Sequence, residues 1–419
     1  MQILFCNTSE HAGGAAIAAS RLAVALNHAG ESVQMMVRDQ AETSAPYVVT
    51  PNVASWKMKA KFVAERIDIL RANGWRKHRL FEVDCATHGI DLTREKVFQQ
   101  ADVIHLHWVN QGLLSLQGLA KILQTGKPLV WTLHDMWPLT GICHHSKDCK
   151  GWTAHCGNCP LLRQPHGKDL SQRIFAEKQN VYAKGQMHFV ACSDWLADIA
   201  RKAPLLKGHK VHSIPNPIDT KFFHPGDQAE ARRRLNLPED VDLLLFVAHK
   251  ATDRNKGIHL LREALEQLVS KNERLRSTLH LIIVGREATM LYDTFAIPTH
   301  TFEYVASQET MRDFYRAATM LCMPTLQDNL PNTIVEAMAC GTPTVGFRVG
   351  GLPQLINHED NGYLSAYMNT TDLAQGITCL LNKATRQRMG TASRNKAEAE
   401  FSHQKVAEAY LKVYHLLKG

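Results

Sequence analysis

The sequence predicts an α/β protein with two doubly wound, Rossmann-like domains. Its opening is the first observation: an apolar strand (residues 1–6) leads into a glycine loop (8–14), a helix (15–29) and a second strand (33–37). The second observation is the segment IPNPIDTKFFHP (214–225), whose prolines indicate a stiff connector between domains. The third is the length of 419 residues, which suffices for two sizeable cores.

Composition narrows the class of protein. A hydrophobic fraction of 45% and a charged fraction of 21% are typical of a soluble globular protein. No apolar run reaches membrane-spanning length, and the first residues lack the pattern of a signal peptide, so we expect a cytoplasmic location. The net charge of +8 suits anionic partners. The opening glycines do not form GxGxxG, which argues against a dehydrogenase.

Residues 319–351 predict a pocket for a diphosphate that carries sugars. A buried strand runs into a turn at 328–332, a helix begins near Asn332, and a later strand ends at Gly350-Gly351. Backbone N–H groups at a helix start favour an anion, and glycines let a ligand approach the backbone. Asp328 and Glu336 flank this region, and a carboxylate suits a vicinal diol such as ribose. The alternative is an ordinary βαβ unit with a solvated acid on its helix.

This stretch resembles the donor-site signature of the GT-B glycosyltransferases of family GT4, in which two acidic residues bracket seven others and a glycine pair follows. Asp328 replaces the glutamate of that pattern and is one methylene shorter. The resemblance implies two Rossmann-like domains facing each other across a cleft. It also implies retaining transfer of a sugar from a UDP- or GDP-linked donor. In that scheme Glu336 holds the ribose, and Asp328 with the Gly350-Gly351 backbone contacts the sugar.

A basic loop precedes the helix predicted at 258–269. In the family, an Arg and a Lys on this loop hold the donor diphosphate, and Lys256 with the following glycine matches that pattern. We expect these cations and the amides of the helix start to stabilise the leaving group without a catalytic divalent metal. Asp240-Val241-Asp242 is interpreted as a solvated turn rather than a metal-binding DxD motif. The remaining donor-binding residues predicted in this half are Lys250, Arg254, Gly285, Asn332 and Thr333.

The first half supplies polar residues at the ends of two predicted strands. His107 ends the strand 102–108, and His134-Asp135 ends the strand 129–134. Ligands of open α/β sheets bind at those ends. His107 also resembles the histidine that family members present to the donor sugar, so the predicted catalytic set is His107, Asp328 and Lys256. His134 and Asp135 are candidates for the acceptor side of the cleft.

The opening glycine loop has an equivalent in the family that lies close to the transferred sugar. Gly13 and Gly14 are therefore expected to contact the donor, the alternative being a tight turn only.

Four cysteines form the pattern C-x5-C-x6-C-x2-C in a loop at residues 143–159. Four thiolates could close a tetrahedral structural zinc site, with an iron–sulfur cluster or redox pairs as alternatives. His144, His145 and His155 are possible substitute ligands. The loop resembles that of the colanic-acid subgroup of bacterial exopolysaccharide glycosyltransferases. The predicted ligands are Cys143, Cys149, Cys156 and Cys159.

Residues 55–80 form a basic amphipathic stretch with nine Lys, Arg or His residues beside aromatic and aliphatic ones. It predicts weak contact with an anionic membrane surface, where a polyprenyl-linked acceptor would lie, unless it is simply a solvated helix face.

The predicted domains are 1–215, on the acceptor side, and 216–390, which binds the nucleotide sugar. Residues 391–419 are predicted to form a helix crossing back to the first domain. Function is expected in surface polysaccharide synthesis, with no role for nucleic acid. A nucleotide-sugar epimerase of the same architecture, or a non-catalytic glycan or nucleic-acid binding module, are the alternatives.

Overall fold

The computed structural model describes residues 1–418. The chain divides into two compact units, Met1–Asn216 with Val406–Gly419, and Pro217–Lys405. The sequence placed the return to the first domain at residue 391, whereas in the structure residues 391–405 stay with the second unit. One reason is Arg394, whose guanidinium donates hydrogen bonds to the backbone oxygens of Thr220, Phe223 and Ala339 in that unit.

The first unit is built on a seven-stranded parallel sheet in the order β3-β2-β1-β4-β5-β6-β7. The central strands β4, β5 and β6 are buried along their whole length, as expected when helices cover both faces of a parallel sheet. Successive residues of β1 enter different cores, Leu4 on one face and Phe5 on the other. The strands are β1 (Gln2–Ser9), β2 (Ser32–Asp39), β3 (Val48–Val49), β4 (Val103–Leu106), β5 (Leu129–Leu133), β6 (His188–Ala191) and β7 (Lys210–Ser213).

Six helices of the first unit surround this sheet before the chain enters the second unit. They are α1 (Gly14–His28), α2 (Ser55–Ala72), α3 (Lys96–Gln100), α4 (Leu116–Gln124), α5 (Leu170–Tyr182) and α6 (Asp194–Lys202). The strand order reverses between β1 and β4. At such a switch point the loops after the two strands leave an open crevice at the carboxyl edge of the sheet.

The second unit repeats this plan with a six-stranded sheet in the order β10-β9-β8-β11-β12-β13, whose strand pairs are all parallel. Its switch point lies between β8 and β11. The strands are β8 (Asp242–Lys250), β9 (Leu279–Arg286), β10 (Thr299–Phe302), β11 (Met320–Met323), β12 (Thr344–Phe347) and β13 (Gly362–Ser365).

The helices of the second unit lie before, between and after these strands, and the last one continues into the first unit. They are α7 (Gln228–Arg234), α8 (Ile258–Lys271), α9 (Leu275–Thr278), α10 (Gln308–Ala317), α11 (Asn332–Ala339), α12 (Leu352–Leu355), α13 (Thr370–Leu381), α14 (Lys383–Lys396) and α15 (His403–Lys418). Within residues 1–418, no helix has both the length and the apolar character needed to cross a bilayer.

Two buried tyrosines fix α15 to the first sheet. The Tyr414 hydroxyl lies 2.7 Å from Nδ1 of His105, and the Tyr410 hydroxyl lies 2.9 Å from Oγ1 of Thr132. Nε2 of His105 lies 2.7 Å from the same threonine hydroxyl. His105 therefore has a partner on each ring nitrogen and serves the packing of α15.

Candidate functional site

Three loops of the second unit meet at the carboxyl ends of β8, β11 and β12. A short 3₁₀ turn (Arg254–Lys256) follows β8, and Asp328 lies in the loop between β11 and α11. Nζ of Lys256 is 2.7 Å from Oδ2 of Asp328, which joins the two loops. The predicted basic and acidic residues are thus brought into contact by strands that are neighbours in the sheet.

Two glycines allow these loops to approach closely. A Cβ on Gly257, whose φ is +76°, would lie 1.8 Å from the carbonyl oxygen of Pro324. A Cβ on Gly350, whose φ is +56°, would lie 1.9 Å from the carbonyl oxygen of Asp328. The N–H of Gly351 donates to that same oxygen at 3.2 Å. The glycine pair therefore fixes the backbone that carries Asp328, because no larger residue fits there.

The carboxylate of Glu336 is nearly buried within α11, at 8% exposure. The hydroxyl of Tyr315, on α10, donates to its Oε2 at 2.5 Å. Helix α11 itself begins at Asn332, followed by Thr333, after Pro331, which offers no side-chain cap. Glu336 is held at a defined place one turn inside this helix, and its tyrosine partner was not predicted from the sequence.

The charges of Lys256 and Asp328 offset each other. Burial lowers the pKa of Lys256, but the neighbouring Asp328 carboxylate outweighs burial and raises the pKa above its ordinary value. Lys256 is therefore a cation near neutral pH. An ammonium has three donors, so Lys256 can keep Asp328 and still donate to an anionic ligand.

Two other predicted donor residues of this unit, Lys250 and Gly285, lie at the ends of β8 and β9. Lys250 ends β8 and pairs with Oε1 of Glu287 at 2.8 Å, an acid that the sequence analysis did not single out. Gly285, near the end of β9, has a φ of +147°, and a Cβ there would lie 1.9 Å from the carbonyl oxygen of Ala248. Arg254 is exposed. Of the predicted basic residues, Lys256 therefore pairs with Asp328, whereas Lys250 pairs with Glu287.

One cavity of about 460 Å³ lies elsewhere in the unit, along β10 between Tyr292 and Phe302. Its lining contains none of the predicted residues.

In the first unit, two histidines meet at the ends of β4 and β5. Nδ1 of His107 lies 3.0 Å from Nε2 of His134. Nε2 of His107 is buried without a hydrogen-bond partner among the described residues. Burial lowers the pKa of His107 well below its ordinary value and that of His134 to about 4, so both imidazoles are neutral at pH 7. A neutral imidazole has one nitrogen that donates a hydrogen bond and one that accepts, so it can pair with a hydroxyl in either way.

The glycine loop after β1 lies beside the loop after β4. Asn7 Oδ1 accepts from the N–H of Trp108 at 2.9 Å, and the N–H of Thr8 donates to the Trp108 carbonyl at 2.8 Å. Gly13 caps α1 with a φ of +90° and has open space where a Cβ would be, and Gly14 is the first residue of that helix. The end of β1 and the loop after β4 are therefore tied together at the switch point.

Asp135 belongs to a buried polar chain that the sequence analysis missed. Its Oδ2 accepts from the indole N–H of Trp108 at 3.0 Å and lies 2.7 Å from Nδ1 of His144. Nε2 of His144 lies 2.7 Å from Oδ2 of Asp84, and Asp84 also pairs with Arg66 on α2. His144 was predicted as a possible zinc ligand, but in the structure both of its ring nitrogens face carboxylates.

The charge states of these buried polar side chains follow from their contacts. Burial lowers the pKa of His144, but the carboxylates of Asp135 and Asp84 outweigh burial and raise the pKa to about 10. Burial likewise raises the pKa of Asp135, and the His144 cation overcomes it, lowering the pKa to about 2. His144 is therefore an imidazolium held between two carboxylates.

The four predicted zinc ligands line one small cavity of about 20 Å³, room for roughly one water-sized species. The backbone N–H groups of Gly141 and Gly151 approach the sulfurs of Cys156 and Cys149 at 3.3 and 3.4 Å. Within residues 1–418, no three Cys, His, Asp or Glu side chains form an arrangement that would hold a metal ion. Zinc binding at Cys143, Cys149, Cys156 and Cys159 stays a prediction.

Comparison with known proteins identifies the class. Residues 12–222 match Glycosyltransferase Family 4, and residues 242–383 match the family of glycosyl transferases group 1. The chain belongs to Glycosyltransferase Family 4. Its fold class is that of the GT-B glycosyltransferases, with two α/β units each built on a parallel sheet.

Among curated relatives, a D-inositol 3-phosphate glycosyltransferase of Saccharomonospora viridis is 26% identical over 97% of this chain and 90% of its own length. The enzyme of that name from Thermobifida fusca is 31% identical over 49% of each chain. The chain spans 60% of the length of the corresponding Acidothermus cellulolyticus protein.

Two solved structures share the fold. Sucrose-phosphate synthase from Thermosynechococcus elongatus superposes with a TM-score of 0.67 at 18% identity, covering 100% of this chain and 99% of that one. Anabaena HepE in complex with UDP-glucose gives a TM-score of 0.62 at 15% identity, covering 98% of each chain.

Proposed function

We propose that this chain is a retaining glycosyltransferase that moves a sugar from a nucleoside diphosphate sugar to a glycan or polyprenyl-linked acceptor. The supporting observation is the joining of Lys256, Asp328 and the Gly350-Gly351 backbone beside the start of α11. The Lys256 ammonium is complementary to a phosphate, and the Asp328 carboxylate can accept hydrogen bonds from a sugar hydroxyl. The glycine backbone leaves room for the ligand to approach it closely.

Each of these groups has a role in the proposed reaction. Lys256 and the amides near Asn332 and Thr333 stabilise the charge that develops on the leaving diphosphate. Asp328 accepts hydrogen bonds from sugar hydroxyls while its backbone stays fixed by Gly350. Because cationic side chains and helix amides can carry this charge, we expect no catalytic divalent metal.

Glu336 is proposed to clasp the ribose diol through its carboxylate oxygens. The hydrogen bond from Tyr315 fixes the rotamer of this side chain before the nucleotide arrives. A carboxylate ordered in advance pays less conformational entropy on binding.

His107 is proposed to hydrogen-bond a hydroxyl of the transferred sugar. Its neutral ring carries one buried nitrogen with no partner in the described part of the protein, and a buried polar atom without a partner costs free energy. A hydroxyl of the donor would satisfy Nε2. His134 orients the ring from the other side through the 3.0 Å contact.

The donor base and the acceptor are the finer parts of the proposal. The likeness to a structure solved with UDP-glucose supports a UDP-linked donor, with GDP as the alternative. The resemblance of the cysteine loop supports an acceptor in exopolysaccharide synthesis. The name shared by the curated relatives makes a phosphorylated polyol the alternative acceptor.

Calorimetry with UDP and GDP tests the nucleotide site. We expect Glu336→Ala to weaken binding of the preferred nucleotide by about ten- to a hundredfold, as a lost hydrogen bond to a charged group costs about 1.5–3 kcal/mol. Glu266→Ala, an exposed position on α8, is the matched control and should bind as the wild type does. Unchanged binding by Glu336→Ala would refute the assignment. Consumption of a nucleotide sugar without any acceptor, giving its epimer, would indicate an epimerase instead.

A further inference from the structure

Helix α2 and the segment after it expose large apolar side chains to solvent. Trp56, Val63 and Ile67 on the helix are 65%, 50% and 37% exposed, and Trp75 and Phe81 beyond it are 64% and 66% exposed. Exposed tryptophans close together in sequence are unusual for a surface that contacts only water. These five residues are called the apolar face below.

The helical members of the apolar face share one side of α2. Val63 and Ile67 follow Trp56 by seven and eleven residues, about two and three helical turns, so the three side chains lie in one stripe. Lys59 and Arg71 fall on either side of that stripe at helical spacing. The stripe is thus flanked by cations.

Exposed charge in this region is mostly positive, although Glu82 is also exposed and pairs with Arg79 at 3.9 Å. Seven exposed basic residues lie within residues 55–81, and the acids there are Glu65 and Asp68. Glu65 is buried and accepts from backbone N–H groups of Cys85 and Ala86 at 2.9 and 2.7 Å, and Asp68 accepts from the hydroxyl of Thr87 at 2.8 Å. The exposed basic residues are Lys57, Lys59, Lys61, Arg71, Arg76, Lys77 and Arg79.

The opposite side of α2 is anchored. Arg66 pairs with the buried Asp84, and its guanidinium donates to the backbone oxygens of Leu80 and Val83. A Cβ on Gly112 would lie 2.7 Å from the backbone nitrogen of Phe62, so the helix packs directly on that loop. The apolar face is therefore presented by a fixed helix whose inner side is already satisfied.

We propose that the apolar face docks the protein on an anionic lipid bilayer. Tryptophan and phenylalanine bury their rings at the boundary between headgroups and acyl chains, while lysine and arginine pair with anionic headgroups. An apolar stripe lined by cations, with seven exposed bases in residues 55–81 and one exposed acid, Glu82, directly after them, is complementary to that surface. Two signals together, such as apolar insertion and a basic patch, are what stable anchoring needs.

This inference is independent of the proposed function, since vesicle binding is measured without nucleotide or acceptor. It would nevertheless place a polyprenyl-linked acceptor within reach of the first unit. Sedimentation with vesicles of phosphatidylcholine and phosphatidylglycerol in equal parts, at low salt, is the direct measurement. Vesicles of phosphatidylcholine alone provide the uncharged comparison.

Two variants test the two halves of the interaction. Trp56→Ser with Trp75→Ser removes the aromatic anchors, and Lys57→Glu, Lys59→Glu and Lys61→Glu together reverse three charges. Each lost cation should weaken binding by about fivefold, so the triple reversal should weaken it by at least about a hundredfold. Near-wild-type melting temperatures establish that the variants are folded.

The matched controls change exposed residues outside the apolar face. They are Lys202→Glu with Lys207→Glu and Lys210→Glu in the first unit, and Met290→Ser with Tyr292→Ser in the second. These controls should bind vesicles within a few-fold of the wild type.

The expected result is binding to anionic vesicles that falls with salt and is lost in both test variants. The inference is overturned if the wild type ignores anionic vesicles at low salt, or if the controls lose as much affinity as the test variants. A wild-type dimer that the double tryptophan variant abolishes would assign the face to a second copy of this chain and also overturn it.

Discussion

The imidazole of His144 contacts the carboxylate of Asp135 at 2.7 Å, and the far side of the ring contacts Asp84 at the same distance. The contact joins the cysteine loop to the end of β5, where His134 and Asp135 lie. Since Asp84 also holds Arg66, the geometry of the strand ends depends on α2 through a continuous chain of ion pairs.

Removing the His144 ring should destabilise the protein strongly. We expect His144→Ala to lower the free energy of unfolding by about 3–5 kcal/mol at pH 7, because two buried carboxylates lose their shared cation. Urea unfolding measures this difference. His155→Ala, an exposed histidine of the same loop, should change it by less than about 0.5 kcal/mol. An equal loss in both variants would mean that the contact with Asp135 carries no special stability.

The contribution of His144 should depend on pH in a defined direction. Its pKa is raised from 6.5 to about 10 in the folded protein, so its stabilising effect is complete below about pH 6.5 and is lost as the pH rises through 10. The difference in unfolding free energy between wild type and His144→Gln should therefore shrink between pH 7 and 10. A difference that stays constant over this range would show that the ring is not titrating as a cation.

The buried network of Asp135, His144, Asp84 and Arg66 also shows what could not be predicted from the sequence. The strand ends, the histidines at 107 and 134, and the loop positions of Lys256 and Asp328 follow from apolar runs and motif spacing. The partners of Asp135 could not be found this way, since Asp84 and His144 stand 51 and 9 residues away in the printed sequence and no periodicity links them. The His144-His145 pair beside the cysteines pointed to metal, whereas the actual partners of His144 are acids.

A similar limit applies to Glu336, whose partner Tyr315 stands on the preceding helix. Removing its hydroxyl in Tyr315→Phe should weaken UDP or GDP binding by about three- to tenfold, because Glu336 loses the contact that orders it. Calorimetry checks the affinity. Tyr304→Phe removes a hydroxyl from an exposed ring and should leave the affinity unchanged. Full affinity in Tyr315→Phe would mean that Glu336 needs no orienting partner.

The contact between Gly350 and Asp328 makes a steric prediction. Gly350→Ala combines a left-handed backbone with a Cβ placed 1.9 Å from a carbonyl oxygen, so the Asp328 loop must move. We expect nucleotide binding to fall by at least about tenfold, together with a loss of stability above about 2 kcal/mol. Gly126→Ala has a φ of +71° with no atom near the new Cβ, so it isolates the backbone strain at about 1–2 kcal/mol. An equal loss of stability in Gly350→Ala and Gly126→Ala would mean that backbone strain alone, and not the clash with Asp328, causes the effect.

The cysteine loop is tested by its metal content. If the four thiols bind zinc, the protein purified without chelator should carry about one zinc per chain, and Cys149→Ser should reduce that content. Cys322→Ser, a buried cysteine outside the loop, is the control and should leave it unchanged. Less than about a tenth of an equivalent in the wild type would contradict zinc binding, and iron in its place would favour a cluster.

Tyr410 and Tyr414 reach the first sheet from the far end of the chain. The N-terminal 216 residues therefore lack two of the groups that complete their own interior, and His105 would lose one of its partners without α15. During synthesis, the core of the first unit is completed only when α15 has been made. Because α15 follows the second unit in the sequence, this packing step comes after the whole second unit has been synthesised. A dissected version of this protein would need residues 406–418 supplied as a fused or added peptide.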